Sequence, residues 1–270
     1  VERIKEAIEK AKAIRGKEPS KSPKANSAKV DVAATDVSNI TYRHTKVVKL
    51  DPLHLEENRI ISYTKNDPRS MSFDMLRTQV LRKMQENKWR TLAITSPTPD
   101  CGKTVVSINL ALSTAQQTEQ TVLLVDFDLR KPKVSQYLGL PPGITLIDYL
   151  EGDAELADVF VNPGVPRLTL LPNDSPVVNA SETLTTTKMK ALVSDIRDRY
   201  ESRMIIFDLP PVLTTDDAMA FLPQVDCALM VVANGASTTS DVKEASRLLQ
   251  QTNLLGVLLN KSEEESRAYY

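Results

Sequence analysis

From Trp89 onward, short apolar runs alternate with amphipathic stretches: TLAIT at 91–95, TVLLVDFD at 121–128, RLTLLP at 167–172, RMIIFDLPP at 203–211, CALMVVA at 227–233 and LLGVLLN at 254–260. Between them the spacing predicts helices starting at Lys103, over 188–199 and over 241–251. Short apolar runs interleaved with helices point to a mostly parallel, doubly wound α/β sheet covered on both faces. Such sheets bind ligands at the carboxyl ends of their strands, so the polar residues that close each run are the candidates for chemistry.

Upstream the pattern weakens. Met71, Met75, Val80, Leu81 and Met84 predict a helix leading into the sheet region. From Gly16 to about Thr45, Ser, Pro, Lys, Asn and Ala prevail without lasting periodicity, and regular pattern resumes only at Ser70, so 16–70 reads as a flexible linker. Residues 1–15 place Ile4, Ile8, Ala11 and Arg15 near one stripe of a short helix. Across residues 1–30, nine Lys and Arg face four Glu, which suits an anionic membrane surface or a partner, and equally a solvated helix. The organisation read from the sequence is therefore a basic helix (1–15), a linker (16–70), an α/β domain (71–262) and an acidic tail (263–270).

Charge and cysteine usage narrow the class. With 34 Lys and Arg against 35 Asp and Glu, the formal charge of −1 argues against a nucleic-acid binder. Cys101 and Cys227 fall in different predicted elements and form neither a disulfide framework nor a zinc site, so a reducing, cytoplasmic setting is expected. No apolar run reaches the roughly 20 residues needed to cross a bilayer, and the charged amino terminus is unlike a signal peptide. Because the chain starts at Val1, a methionine or more is expected ahead of it.

Three strand ends carry candidate chemistry. The first run leads into TSPTPDCGKT, 95–104, which ends as a phosphate-binding loop does but has Pro97 where the usual spacing has glycine. A strand, a tight loop and a helix starting at Gly102-Lys103-Thr104 would aim backbone N–H groups at a phosphate, with Lys103 reaching the β/γ-phosphates and Thr104 offering its hydroxyl to Mg²⁺. The second run ends in Asp126 and Asp128, alternate positions that share one side of a strand end. Two carboxylates there can hold a metal or its waters, or accept a proton from an attacking hydroxyl. The third ends in Asp208, as expected of a carboxylate that orients metal-bound water, and Pro210 and Pro211 stiffen the turn beyond it.

Taken together, Asp126-x-Asp128-x-Arg130 after an aliphatic run, Asp208-x-Pro210-Pro211, GVLLNK at 256–261 and the terminal Tyr269-Tyr270 resemble the bacterial tyrosine kinases of capsule and exopolysaccharide synthesis. The likeness covers about Met71 to the end and is to the kind that stands apart from its membrane-spanning co-polymerase; the first 70 residues resemble those of kinases in exosortase-associated operons. The resemblance implies a deviant-Walker P-loop fold of the MinD/ParA-like type, with ATP and Mg²⁺ as cofactors. It implies autophosphorylation of Tyr269 and Tyr270 in trans on a neighbouring subunit, a chain-length-determinant (co-polymerase) partner and a place at the inner membrane. Carried over residue by residue, Lys103, Asp126, Asp128, Asp208 and Arg130 are catalytic, and Thr104, Asp128 and Asp208 serve the metal. Pro99, Asp100, Cys101, Gly102, Lys103, Thr104, Val105 and Asn260 contact the nucleotide. Base and metal-holding roles stay open between Asp126 and Asp128. Cys101 reads as a small side chain that the loop tolerates.

The chain departs from that family at two places. Asp100 stands where a glycine is usual, and its carboxylate either repels phosphate or turns outward and caps the following helix. The ring-assembly pattern E-x-x-R-x-x-R reads Met71, Asp74 and Arg77, keeping only Arg77, which weakens the expectation of a ring-shaped homo-oligomer. Two other functions compete with the kinase: a MinD/ParA-like nucleotide-switched ATPase, and a catalytically weak relative serving as a scaffold. Thr98, where the switch ATPases carry a lysine, and the tyrosine tail both favour the kinase over the first.

Overall fold

The structure, a computed structural model, describes residues 45–64, 67–117, 120–200 and 202–262. The expected helix over 1–15, the linker up to residue 44 and the tail with Tyr269 and Tyr270 lie outside the described residues.

The described chain opens with strand β1 (Lys46–Val47), helix α1 (Pro52–Glu57), a 3₁₀ turn (Pro68–Ser70) and helix α2 (Met71–Asn87). These elements correct the linker reading for residues 45–70. Leu50, Leu55 and Ile60 are buried in the main core, so this stretch has enough apolar anchors to fold against the domain. Asp51 and Asp67, each followed by Pro, start the two short turns: their carboxylates accept from Leu53 N–H (3.0 Å) and Arg69 N–H (2.9 Å).

The α/β region follows as β2 (Thr91–Thr95), α3 (Lys103–Ala115), β3 (Thr121–Asp126), α4 (Val134–Leu138), α5 (Leu146–Glu151), α6 (Leu156–Val159), β4 (Val161–Asn162) and β5 (Leu168–Leu171). It continues with α7 (Ala180–Thr185), α8 (Thr187–Asp198), β6 (Arg203–Asp208), α9 (Asp217–Phe221), β7 (Cys227–Ala233), α10 (Thr239–Leu248) and β8 (Asn253–Asn260). All six apolar runs of the sequence form strands. They join β1 and β4 in one sheet of order β1-β4-β5-β3-β6-β2-β7-β8, parallel throughout except for the β4/β5 pair.

Alternation along the strands splits the apolar interior in two. Leu123, Val125, Phe207 and Met230 face one core, which α7, α8, α9 and α10 close with Leu184, Met189, Leu192, Phe221 and Ala245. Leu92, Ile94, Leu124, Ile206 and Leu229 face the other, filled by α3 with Val106, Ile108 and Leu110 and by α2 with Val80, Leu81 and Met84. Helix α3 is buried nearly all round because α2 and residues 45–64 cover the side that the sheet does not.

Two expectations need correction. Met71 and Met75 do not join the core but stay 63% and 58% exposed. That half of α2 is held by polar contacts instead: Arg77 Nη1 donates to Asp74 Oδ1 (2.8 Å) and to the Ser113 carbonyl and hydroxyl, and Ser113 Oγ donates to Asp74 Oδ1 (2.6 Å). Among the described residues the sheet is also not covered on both faces at β8, where Val257 and Leu259 are 50% and 58% exposed; β8 is the edge strand, and α10 places Ala245 among the residues of β7.

Residues 59–62 are fastened to α3 by one fully buried amide. Asn109 Oδ1 accepts from the N–H groups of Ile61 and Ser62, both at 2.9 Å, and its Nδ2 donates to the carbonyls of Arg59 (3.0 Å) and Val105 (2.9 Å). Replacing Asn109 by the isosteric Leu strands several buried backbone groups, so chemical unfolding of Asn109→Leu is expected to show a loss of about 2–4 kcal/mol. Hydrogen exchange should rise first at Ile61 and Ser62; a wild-type unfolding midpoint would contradict this role.

Candidate active site

The three acidic strand ends meet because their strands are neighbours. β6 lies between β3 and β2, with Asp208 in register with Asp126 on one side and with Ile94 on the other. The turn after β6 is sewn to β2 and the loop beyond it: Leu209 N–H donates to the Ile94 carbonyl and Val212 N–H to the Ser96 carbonyl, each at 2.9 Å. The Thr95 hydroxyl donates to the Pro210 carbonyl at 2.7 Å.

The loop at 95–104 passes twice through left-handed backbone, at Asp100 (φ 59°) and Gly102 (φ 86°). Gly102 is required twice over, since a Cβ there would also run into the Asn260 amide. Asn260, at the end of β8, donates Nδ2 to the Cys101 carbonyl at 2.9 Å and so braces the loop from behind. Asp100 adopts a conformation that Asp tolerates better than most residues, and its side chain is exposed. It does not cap α3, whose N-cap is Gly102 and which carries no side-chain cap at all. The first N–H groups of this long helix are thereby left to an anion. Pro99 is exposed and Val105 half-buried. Cys101 is buried, its thiol 3.2 Å from the Thr98 carbonyl and 3.4 Å from Ser237 Oγ.

Lys103 bends back from the helix start into the carboxylates. Its Nζ lies 2.8 Å from Asp128 Oδ2 and 3.6 Å from Asp208 Oδ2. Asp208 is fully buried and accepts from the Thr104 hydroxyl (2.6 Å) and from the Ser107 hydroxyl (2.9 Å). Asp126, also fully buried, accepts on Oδ1 from Asp128 N–H (3.2 Å) and on Oδ2 from the N–H groups of Lys133 (3.0 Å) and Val134 (2.9 Å), which fixes the start of α4. Asp128 accepts from Lys131 N–H at 3.1 Å on the oxygen that Lys103 leaves free.

These contacts set the charges. Burial pulls the Lys103 ammonium down, but Asp208 and Asp128 outweigh it and hold the group above its ordinary value. Burial, and then repulsion from Asp208, pushes the Asp126 carboxyl well above the usual carboxylate range. Burial likewise raises Asp208, against the pull of Lys103 and of the two hydroxyls. One ammonium among three buried carboxylates leaves surplus negative charge, and a second cation would relieve it. Among the described residues no group of three or more His, Cys, Asp or Glu could by itself hold a metal ion. That donor set fits Mg²⁺, which keeps waters and shares ligand phosphate oxygens with one or two carboxylates rather than taking an all-protein cage.

The structure thus brings together Lys103, Thr104, Asp126, Asp128 and Asp208 as the sequence predicts, and places Asn260 on the loop backbone. Arg130 is the member that it does not bring to Lys103. Its guanidinium is committed to Asp217, Nε to Oδ2 at 2.6 Å and Nη2 to Oδ1 at 3.0 Å. Sequence reasoning also missed Ser107, although its spacing of one turn after Lys103 and Thr104 was a usable signal. Asp217 gave less warning, as one of two acidic residues at the start of a short helix.

Behind the carboxylates lies an aromatic support. Phe127, Phe207 and Phe221 are fully buried, with centroids 5.2 Å apart for Phe127–Phe207 and 4.9 Å apart for each ring's contact with Phe221. Phe127 sits between Asp126, the last residue of β3, and Asp128, and Phe207 precedes Asp208, so the alternation that buries the rings turns the carboxylates toward α3.

Comparison with known proteins places this geometry. Residues 90–256 match the AAA domain family. The tyrosine-protein kinase CpsD of Streptococcus agalactiae is 32% identical over 202 residues, covering 73% of this chain and 85% of that protein. The tyrosine-protein kinase etk of Escherichia coli K12 is 33% identical over 187 residues, covering 68% of this chain but 25% of its own length, so the chain spans about a quarter of this longer relative. The solved kinase domain of the E. coli protein superposes with a TM-score of 0.70 at 28% identity, covering 83% of this chain and 92% of that domain. The septum site-determining protein MinD of Pyrococcus horikoshii, solved with Mg-ADP, gives a TM-score of 0.54 at 27% identity, over 64% of this chain and 72% of that one. The P-loop architecture of this chain, the AAA match over residues 90–256 and the 32% identity over 85% of a compact tyrosine kinase mean that it belongs to the bacterial tyrosine-kinase family.

Proposed function

We propose that this chain is an ATP- and Mg²⁺-dependent protein-tyrosine kinase that phosphorylates Tyr269 and Tyr270 of its own kind and thereby regulates assembly or export of a polysaccharide. The observation that carries the reading is the contact of Lys103, at the start of α3, with Asp128 and Asp208 at the ends of adjoining strands. On binding nucleotide, Lys103 exchanges its carboxylate partners for the β/γ-phosphates, and the uncapped start of α3 donates its N–H groups to them. Mg²⁺ supplies the charge neutralisation that the surplus carboxylates call for. Thr104 and Asp208, already joined at 2.6 Å, are the groups that would hold it. Asp128 then has one oxygen released by Lys103, whereas Asp126 keeps both of its oxygens on backbone N–H groups. Access therefore favours Asp128 as the acceptor of the phenol proton, with Asp126 fixing the loop that carries it; a phenol titrating near pH ~10 needs such a base.

Each phosphate added to the tail brings about −1.5 to −2 charges beside the acidic run 263–265, so modification would expel a docked tail. The partner in this reading is a membrane-embedded co-polymerase, met at the inner membrane through the basic residues 1–15. Asp100 is exposed and does not cap α3, which is compatible with catalysis as much as with a scaffold role.

Three measurements test the reading. Incubation with ATP and Mg²⁺ followed by mass spectrometry of the C-terminal peptide is expected to show phosphate on Tyr269 or Tyr270, and none in Lys103→Met; unmodified wild type, or phosphate that survives Lys103→Met, would sink it. Asp100→Gly removes one charge near the phosphates and relieves the left-handed backbone, so calorimetry should find ATP bound about five-fold more tightly; weaker binding would show that Asp100 assists the loop. Deleting residues 1–20 should leave ATP affinity at the wild-type value and abolish co-localisation with the membrane complex, and unchanged localisation would refute the recruiting role.

A further inference from the structure

A hollow of about 160 Å³ opens at the carboxyl end of β5, against α4 and β1. Val48, Leu140, Ile144 and Pro172 supply apolar walls, and the exposed Lys46, Asp158 and Asp174 line it as charged groups. A cavity of this size admits a single six-membered aromatic ring. Among the described residues Lys46, Asp158 and Asp174 form no ion pair, and Asp174 accepts only from the neighbouring Ser175 hydroxyl, at 3.0 Å. Two carboxylates against one ammonium leave the hollow with surplus negative charge.

Its walls are tied to the loop that carries Asp128. Ser135, which lines the hollow, follows directly on Lys133 and Val134, whose N–H groups hold Asp126 Oδ2 at 3.0 and 2.9 Å. From the opposite wall, Pro172 and Asp174 lead to Val177, whose N–H donates at 2.8 Å to the carbonyl of Leu129, the residue after Asp128. The hollow therefore adjoins, on two sides, the stretch that presents Asp128.

We propose that this hollow is a subsite for the acceptor peptide: it takes the unmodified ring of one of Tyr269 and Tyr270 of a second copy while the other tyrosine is presented to Asp128. The inference rests on the kinase reading and adds to it the selection of a paired tyrosine. Adjacent residues of an extended chain point to opposite sides, so one ring can fill the hollow while its neighbour is turned away from it. Arg267, two residues before the pair, supplies the cation that Asp158 and Asp174 lack. The tail of the same chain fits poorly. Its nine residues from Lys261 to Tyr269 span at most about 32 Å, and the hollow lies five to six strand spacings, roughly 24–29 Å, from β8 across the phosphate-binding loop. A second copy meets no such limit. Phosphate reverses the fit, because it enlarges the ring and brings about −1.5 to −2 charges toward surplus carboxylate. A modified tyrosine then cannot take the anchoring place, and singly phosphorylated tails accumulate.

The test pairs full-length copies: an acceptor made inert by Lys103→Met, and an enzyme without rings of its own, Tyr269→Ala/Tyr270→Ala. Gly143→Phe in the enzyme fills the hollow at a position where a Cβ meets nothing nearer than the Pro141 carbonyl, 3.9 Å away. It should raise KM for the acceptor about ten-fold and leave KM for ATP within about two-fold of the parent value. The same substitution in the acceptor should change nothing. An acceptor with Tyr270→Phe should be labelled on Tyr269 at the parent rate and one with Tyr270→Ala about ten-fold more slowly, because the hollow takes a ring and not a hydroxyl; the reciprocal holds at position 269. Asp158→Asn/Asp174→Asn in the enzyme should raise the doubly phosphorylated fraction. Calorimetry with a peptide of residues 261–270 needs no turnover: wild type should bind it, and affinity should fall about ten-fold with Gly143→Phe or with a peptide phosphorylated on both tyrosines. Unchanged KM and peptide affinity in Gly143→Phe, or equal labelling of the Tyr270→Ala and Tyr270→Phe acceptors, would overturn the proposal. The acceptor variants leave the enzyme's fold untouched, so they decide independently of how Gly143→Phe folds. Wild type that binds the peptide yet never labels tyrosine would overturn the kinase reading instead, and the peptide comparison would still decide the role of the hollow.

Discussion

The architecture of this molecule depends on burying more negative charge than positive at one end of a parallel sheet. Asp126 and Asp208 are fully buried and Asp128 nearly so, and Lys103 is the one ammonium bonded among them. Such a cluster costs stability unless every oxygen is met, and here the oxygens are met from three directions. Hydroxyls of α3 serve Asp208, backbone N–H groups before and within α4 serve Asp126, and Lys103 serves Asp128. The requirement fixes the position of α3 over β6, the start of α4 and the path of the loop after β3. In the kinase reading Lys103 would leave its carboxylates only as another cation took them over, which would couple metal and nucleotide through one side chain.

The strands and the core of the site were legible because both follow from simple periodicities. Apolar runs ending in Asp were enough to place Asp126, Asp128 and Asp208 at strand ends, and Gly102-Lys103-Thr104 was enough to place a phosphate-binding helix start. What was not legible was pairing across the chain. Nothing local distinguishes Asp217 from Asp216, yet one is a buried partner of Arg130 and the other is exposed. The stripe of α2 misled for a related reason: Met71 and Met75 fit a helical period, but that end of the helix extends where no apolar surface meets it and is held by Asp74, Arg77 and Ser113 instead. Those contacts are internal and all come from Nη1 of Arg77.

Residues 45–64 show the opposite failure, a folded segment concealed by composition. Their apolar residues are too sparse for a window-based pattern, and only the Asp-Pro pairs at 51–52 and 67–68 announce that turns begin there. Once placed, the segment bridges the domain. Val48 N–H continues the β1/β4 pairing with the Asn162 carbonyl at 2.8 Å, His54 Nε2 meets the Gln136 carbonyl of α4 at 2.8 Å, and Asn109 and Gln116 hold residues 59–62 on α3. These hydrogen bonds reach the helix that begins with Lys103 and the one whose start Asp126 holds. The segment that leads in from the amino-terminal side is thus bonded, through side chains that sequence pattern does not single out, to both supports of the carboxylate cluster. The backbone of 59–62 is held at four points, three by Asn109 of α3 and one by Gln116 just beyond it, whereas β1 pairs with β4 over two residues.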